Sequence, residues 1–171
     1  MKYFSGFALK NDIYLCKEFL LNSDFTVAGL SFGAIKAIEY TLSTDKRVDT
    51  LQLFSPAFFQ NRNDKFKRTQ IIYFLKNRES YIKNFIKNSF FPSNPDSILE
   101  IFDDSVESLQ QLLEYRYSDN IFTKLEQKGV KIEIYLGSDD KIIDSHAAKE
   151  YFTGKAEIFF LQNRGHFLIL D

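Results

Sequence analysis

Apolar residues recur along this chain with two alternating patterns. Short apolar or β-branched runs at Lys2–Ser5, Phe25–Ala28, Thr50–Phe54, Lys131–Leu136 and Ala156–Leu161 predict five strands. Between them the apolar positions recur every three or four residues. That spacing predicts helices at about Asn11–Leu21, Phe32–Thr44, Asn120–Lys128 and Ser145–Phe152. Strand alternating with helix implies a parallel sheet with right-handed crossovers, hence an α/β fold.

Two departures refine this picture. Parallel strands covered on both faces read as continuous apolar runs. Here polar residues interrupt them: Thr50 and Gln52, Lys131 and Glu133, then Glu157. One sheet face is therefore expected to be poorly covered, either partly solvated or used in self-association. The second departure is a long stretch, 57–117, that is helical in pattern, rich in aromatics and free of glycine. It predicts an all-helical lid inserted after the third strand of a single domain spanning 1–171. Pro92 and Pro95 divide the lid into two arms. Asn61–Asn88 carries eight basic residues against two acidic ones, and Phe90–Asn120 carries seven acidic residues, Asp96 among them, against Arg116 alone. The near-neutral net charge of −1 conceals this dipole.

Composition excludes more than it selects. The 44% apolar and 26% charged shares suit one globular domain. No apolar run approaches the roughly 20 residues of a membrane span. The start, Met1 to Phe7, is too quickly interrupted for a signal peptide. One cysteine, Cys16, excludes an internal disulfide and reads as a buried thiol in a helical stretch. With two histidines and one cysteine, a thiolate–imidazole metal site is not expected. No cofactor is called for, nor any nucleic-acid or membrane partner, and the expected location is the cytoplasm.

Chemistry enters at Gly29-Leu30-Ser31-Phe32-Gly33. This Gly-x-Ser-x-Gly follows one predicted strand and opens a helix, the context of a nucleophile elbow. A serine on so sharp a turn has an exposed hydroxyl. Flanking glycines let strand and helix approach without Cβ clashes. A serine hydroxyl needs a base, and the base an orienting acid. His166 lies just past the last strand and Asp140 just past the fourth. Asp139 competes with Asp140, which is favoured by its spacing from Gly137 and the Lys-Ile-Ile that follows. Ser31 could instead cap its helix, and His166 could be a satisfied structural histidine. His146 reads as a bystander in the first turn after Asp144, the expected N-cap. An oxyanion hole is expected from two backbone N–H groups, one on Phe32 and one on Phe7. Gly129 and Gly154 read as C′ caps. The lid aromatics would line an apolar tunnel above the serine.

With these three loops in order, the chain resembles the α/β-hydrolase superfamily over its whole length. More narrowly it is similar to the pimeloyl-(acyl-carrier protein) methyl ester esterases of biotin synthesis, in their compact BioV-type form. That likeness rests on size, Phe4-Ser5-Gly6-Phe7, the elbow and the basic helical lid. It implies a minimal hydrolase of about five strands, with Ser5-Gly6 where His-Gly is usual. On this resemblance the sheet is expected to lack the elements that usually precede the oxyanion strand and follow the histidine loop, in keeping with the poorly covered face. It implies a serine carboxylesterase that cleaves the methyl ester from a pimeloyl chain. That chain would be held through phosphopantetheine on an acyl carrier protein. It further implies docking of the acidic carrier on lid cations such as Arg62, Lys65, Lys67, Arg68, Lys76 and Arg78. A thioesterase or other acyl hydrolase on the same triad, and an inactive binding protein of the same fold, are the alternative readings.

Overall fold

The five apolar runs pair side by side as one parallel sheet. A computed structural model describes residues 1–95 and 98–170, so Asp96 of the acidic arm lies outside the described residues. The strands are β1 (Lys2–Phe4), β2 (Thr26–Leu30), β3 (Thr50–Phe54), β4 (Lys131–Gly137) and β5 (Glu157–Leu161). Their order in the sheet is their order in the chain. The helices are α1 (Phe32–Ser43), α2 (Asp64–Lys76), α3 (Arg78–Phe90), α4 (Val106–Glu114), α5 (Asp119–Gln127) and α6 (Ser145–Phe152). Helices α2, α3 and α4 fall between β3 and the crossover helix α5 that leads into β4. Gly129 and Gly154 sit at positive φ after α5 and α6, as expected of C′ residues.

Register explains the two faces. The row Phe4–Gly29–Leu53–Ile134–Ile158 lies on the side where Tyr40 of α1 meets Phe4, with ring centroids 5.7 Å apart. Two positions beyond Ile158 on that same side, Phe160 meets His146 of α6. The alternate row, Tyr3–Ala28–Gln52–Glu133–Glu157, faces the other way.

The predicted helix at Asn11–Leu21 is corrected here. A short 3₁₀ helix forms instead, Asp12–Cys16, and the chain then runs across the second sheet face. The reason lies in side chains that compete with helical pairing. Asp12 turns inward to accept from the Gly6 N–H at 2.9 Å and the Tyr3 hydroxyl at 3.2 Å. Gln52 holds the segment that follows: its Oε1 accepts from Leu21 N–H at 2.9 Å and its Nε2 donates to the Phe19 carbonyl at 3.0 Å. Cys16 is buried and free, the last residue of this 3₁₀ helix.

The polar strand residues are therefore not simply solvated. Gln52 is fully buried, and Glu133 is nearly so. Glu133 Oε2 accepts from Gln52 at 2.9 Å and from the Tyr135 hydroxyl at 3.0 Å, while Oε1 accepts from Lys131 at 2.8 Å. Lys131 also reaches Glu157 at 2.8 Å, where this face opens to solvent. Burial pushes the Glu133 carboxyl up, but the three donors together outweigh it and hold it below the usual carboxylate range. The stability this contributes is present above the ordinary carboxylate pKa and is lost as pH falls through the lowered one. Replacing Gln52 by leucine strands the Leu21 N–H and part of the Glu133 carboxylate. We expect a loss of about 1–3 kcal/mol in urea unfolding. A change below about 0.5 kcal/mol, the size of an ordinary surface substitution, would remove this network from the account of the fold.

Candidate active site

Ser31, Asp140 and His166 each sit on a loop that follows the C-terminal end of a strand. Ser31 occupies the turn between β2 and α1 at φ 55°, a left-handed conformation that a non-glycine residue adopts only at a cost. The turn is held by its own backbone: Ser31 N–H donates to the Phe54 carbonyl at 2.8 Å, and Ala57 N–H donates to the Ser31 carbonyl at 3.2 Å. The two glycines are required by close approach. A Cβ on Gly29 would collide with the Gly33 carbonyl, and one on Gly33 with the backbone of Phe4 and Ser5. Ser31 is the residue before α1, yet its side chain makes no capping bond. The hydroxyl is turned elsewhere.

It meets His166. The Ser31 Oγ to His166 Nε2 distance is 2.9 Å, and His166 Nδ1 lies 2.7 Å from Asp140 Oδ2. His166 is fully buried. Asp140 can only accept as a carboxylate, so the ring proton belongs on Nδ1 and Nε2 is left to accept from the serine. The other Asp140 oxygen, Oδ1, accepts from Ile142 N–H at 2.7 Å and Ile143 N–H at 3.0 Å, which fixes the carboxylate plane. The neighbouring Asp139 instead accepts from the Ser138 hydroxyl through Oδ1 at 2.8 Å, and the contact to His166 is made by Asp140. Acid and base loops are tied to each other: Asp139 N–H donates to the Arg164 carbonyl at 2.9 Å, and Asn163 N–H to Ser138 Oγ at 2.9 Å. Arg164, paired with Glu18 at 2.7 Å, fastens the histidine loop to the segment below the sheet. Asp144 caps α6 through Ala147 N–H at 3.0 Å, and His146 stays on that helix, away from the serine.

Ser31 opens into a cavity of about 610 Å³. Phe7, Phe59, Phe66 and Phe85 form aromatic walls. Phe58, Phe74 and Phe90 are buried in the core and do not line the cavity. Leu109, Leu112 and Leu113 of α4 close another side, a contribution the sequence pattern did not single out. Lys141 and Ile142, next to the acid, also line it. Phe32 is the first residue of α1, a position whose N–H has no intrahelical partner. Phe7 N–H is likewise without a partner among the described residues, although Gly6, Ala8, Leu9 and Lys10 all donate.

The six cations expected to dock a partner do not share one setting. Arg62 and Lys76 line the serine cavity. Lys67 and Arg68 line a second groove, of about 500 Å³, between α2 and α4, and Lys65 is exposed on α2. Arg78 is engaged instead, its Nε 2.6 Å from Asp103. That pair joins the basic arm to the acidic one. Among the described residues, no cluster of His, Cys, Asp and Glu converges as metal ligands would, and no helix is long and apolar enough to cross a membrane.

No family model and no curated protein matches this sequence. Solved structures do match its fold. Naproxen esterase (carboxylesterase NP) from Bacillus subtilis superposes with a TM-score of 0.56 at 20% identity, over 84% of this chain and 53% of that one. The esterase EaEST from Exiguobacterium antarcticum gives 0.61 at 19% identity, over 91% and 64%. A bromoperoxidase from Bacillus anthracis gives 0.62 at 13% identity, over 90% and 64%. The chain thus adopts the α/β-hydrolase fold. It spans between about half and two thirds of the length of these structures.

Proposed function

We propose that this chain is a serine carboxylesterase in which Ser31 is the nucleophile, His166 the general base and Asp140 the group that orients it. The observation that carries this reading is the unbroken hydrogen-bonded line from Asp140 through His166 to Ser31, at 2.7 and 2.9 Å, ending in an open cavity. Ser31 Oγ would attack the ester carbonyl as its proton passes to His166 Nε2. The oxyanion would form against the N–H groups of Phe7 and Phe32. Collapse would expel the alcohol, which takes the proton back from the imidazolium. Water, activated by the same base, would then release the acid.

The substrate we propose is the methyl ester of a pimeloyl chain carried by an acyl carrier protein, in the cytoplasm. The aromatic-walled cavity of about 610 Å³ suits an acyl chain, and the basic arm suits an acidic carrier. Incubating the purified protein with pimeloyl-carrier methyl ester and weighing the carrier tests this. Loss of one methyl group with the acyl chain retained is the expected result. Release of free carrier would instead make the protein a thioesterase, and failure of a fluorophosphonate to label Ser31 would favour an inactive binder.

Docking has a separate test. Reversing charge at Lys65, Lys67 and Arg68 together should raise KM for the carrier-linked ester by about tenfold or more. Hydrolysis of a small p-nitrophenyl ester should stay within about twofold, because these side chains do not touch the reacting atoms. Equal losses on both substrates would sink the docking surface.

A further inference from the structure

The loop that follows β1 is gripped from two sides by buried carboxylates. Asp12 Oδ2 accepts from Gly6 N–H at 2.9 Å. Asp104, on the far side of the helical insertion, accepts from Ala8 N–H with Oδ2 at 3.0 Å. Its Oδ1 accepts from Ser105 N–H at 2.8 Å. Asp12 is fully buried and Asp104 is 7% exposed. A short antiparallel pairing reinforces the second grip: Phe102 N–H donates to the Ala8 carbonyl at 3.0 Å, and Lys10 N–H to the Glu100 carbonyl at 3.1 Å. The outcome is selective. Of the five consecutive N–H groups from Gly6 to Lys10, only that of Phe7 has no partner among the described residues, and Phe7 lines the serine cavity.

We propose that Asp12 and Asp104 are positioning residues that hold the Phe7 N–H in place as an oxyanion donor, one from each side of its peptide. Ala8 adopts a left-handed φ of 59°, a conformation that alanine resists and that the Asp104 bond helps to hold. A donor preorganised in this way costs no rearrangement when charge develops on the substrate oxygen. Neither aspartate touches the reacting atoms. The insertion that carries α2, α3 and α4 is thereby tied to catalysis through Asp104, beyond forming a wall of the cavity.

This inference rests on the esterase reading, and the experiment separates the two. Hydrolysis of p-nitrophenyl acetate is compared for wild type, Ser31→Ala, Asp12→Ala, Asp12→Asn and Asp104→Ala, with every chain that keeps Ser31 normalised to active sites titrated with a fluorophosphonate and Ser31→Ala normalised to total folded protein. Asp12→Ala and Asp104→Ala should each lower kcat by about 10- to 100-fold with KM within about threefold, the size of effect a displaced donor produces. The inhibition constant of a trifluoromethyl ketone, which forms a tetrahedral adduct with the serine, should rise by a similar factor. Asp12→Asn should restore most of the rate, because one amide oxygen can accept both bonds and its NH₂ falls where Oδ1 of Asp12 has no partner. A purely structural role would lower the melting temperature and the titratable fraction but leave kcat per active site and the inhibitor ratio unchanged. That pattern would overturn the proposal, as would both alanine variants remaining within twofold of wild type. Should Asp12→Ala fail to fold, Asp104→Ala carries the test. Ser31→Ala retaining full activity would instead overturn the esterase reading itself.

Discussion

Replacing Ser31 with alanine is expected to lower kcat on a short p-nitrophenyl ester by about 10⁴–10⁶, with KM nearly unchanged. In the proposed mechanism the hydroxyl bonds the acyl carbon, and its hydrogen bond to His166, at 2.9 Å, is the route by which it would lose its proton. What remains without it is the aromatic cavity and the backbone donors, which in comparable sites still leave about 10³–10⁴ over water. Folding should survive. The turn is held by Ser31 backbone bonds to Phe54 and Ala57, and the side chain makes no cap. A retained melting temperature alongside lost turnover would therefore separate chemistry from structure. Full activity in the alanine variant would mean that another residue is the nucleophile.

The second large effect is expected from Asp140→Asn, about 10⁴ in kcat, although asparagine is nearly the same shape. Asp140 Oδ1 accepts from the Ile142 and Ile143 N–H groups, so the amide oxygen of asparagine is drawn to that side. Its NH₂ then faces His166 Nδ1 at the position of Oδ2, 2.7 Å away in the wild type. A donor there forces the ring proton onto Nε2, and Nε2 can no longer accept from Ser31. Raising the pH should not restore the rate, because the fault is in the tautomer rather than in ionisation. A loss smaller than about tenfold would show that Asp140 contributes only orientation.

Much of this arrangement was legible in the sequence, for local reasons. Strand positions followed from short apolar runs. The one notable extension, β2 continuing through Gly29 and Leu30, arises because those residues still pair with Leu53 and Phe54. Ser31, Asp140 and His166 could be picked out because each follows the end of a strand and carries glycine close by. What escaped was set by distant partners. The helical pattern over 11–21 lost to the inward turn of Asp12 and to Gln52, thirty-one residues from the Leu21 N–H it accepts. The expected open sheet face was closed by that same segment near β1–β3 and left polar at Lys131 and Glu157. The basic arm was visible as charge, but not the pairing of Arg78 with Asp103. Nor could Asp104 be distinguished from its acidic neighbours, because its meaning lies in a bond to Ala8, ninety-six residues away.

The order of the strands has a consequence for how the molecule is put together. Because β1 to β5 lie side by side in the order of the chain, no strand has to be threaded between two already paired. Each can add to an existing edge as it emerges, and the one long wait is for the insertion between β3 and β4. Ser31, the proposed nucleophile, directly follows the second strand, and His166, the proposed base, lies in the loop after the fifth. If the strands add in that order, the sheet holds Ser31 in place before His166 arrives. Enzymatic turnover during refolding would report the docking of the last edge, while the earlier pairings pass in chemical silence.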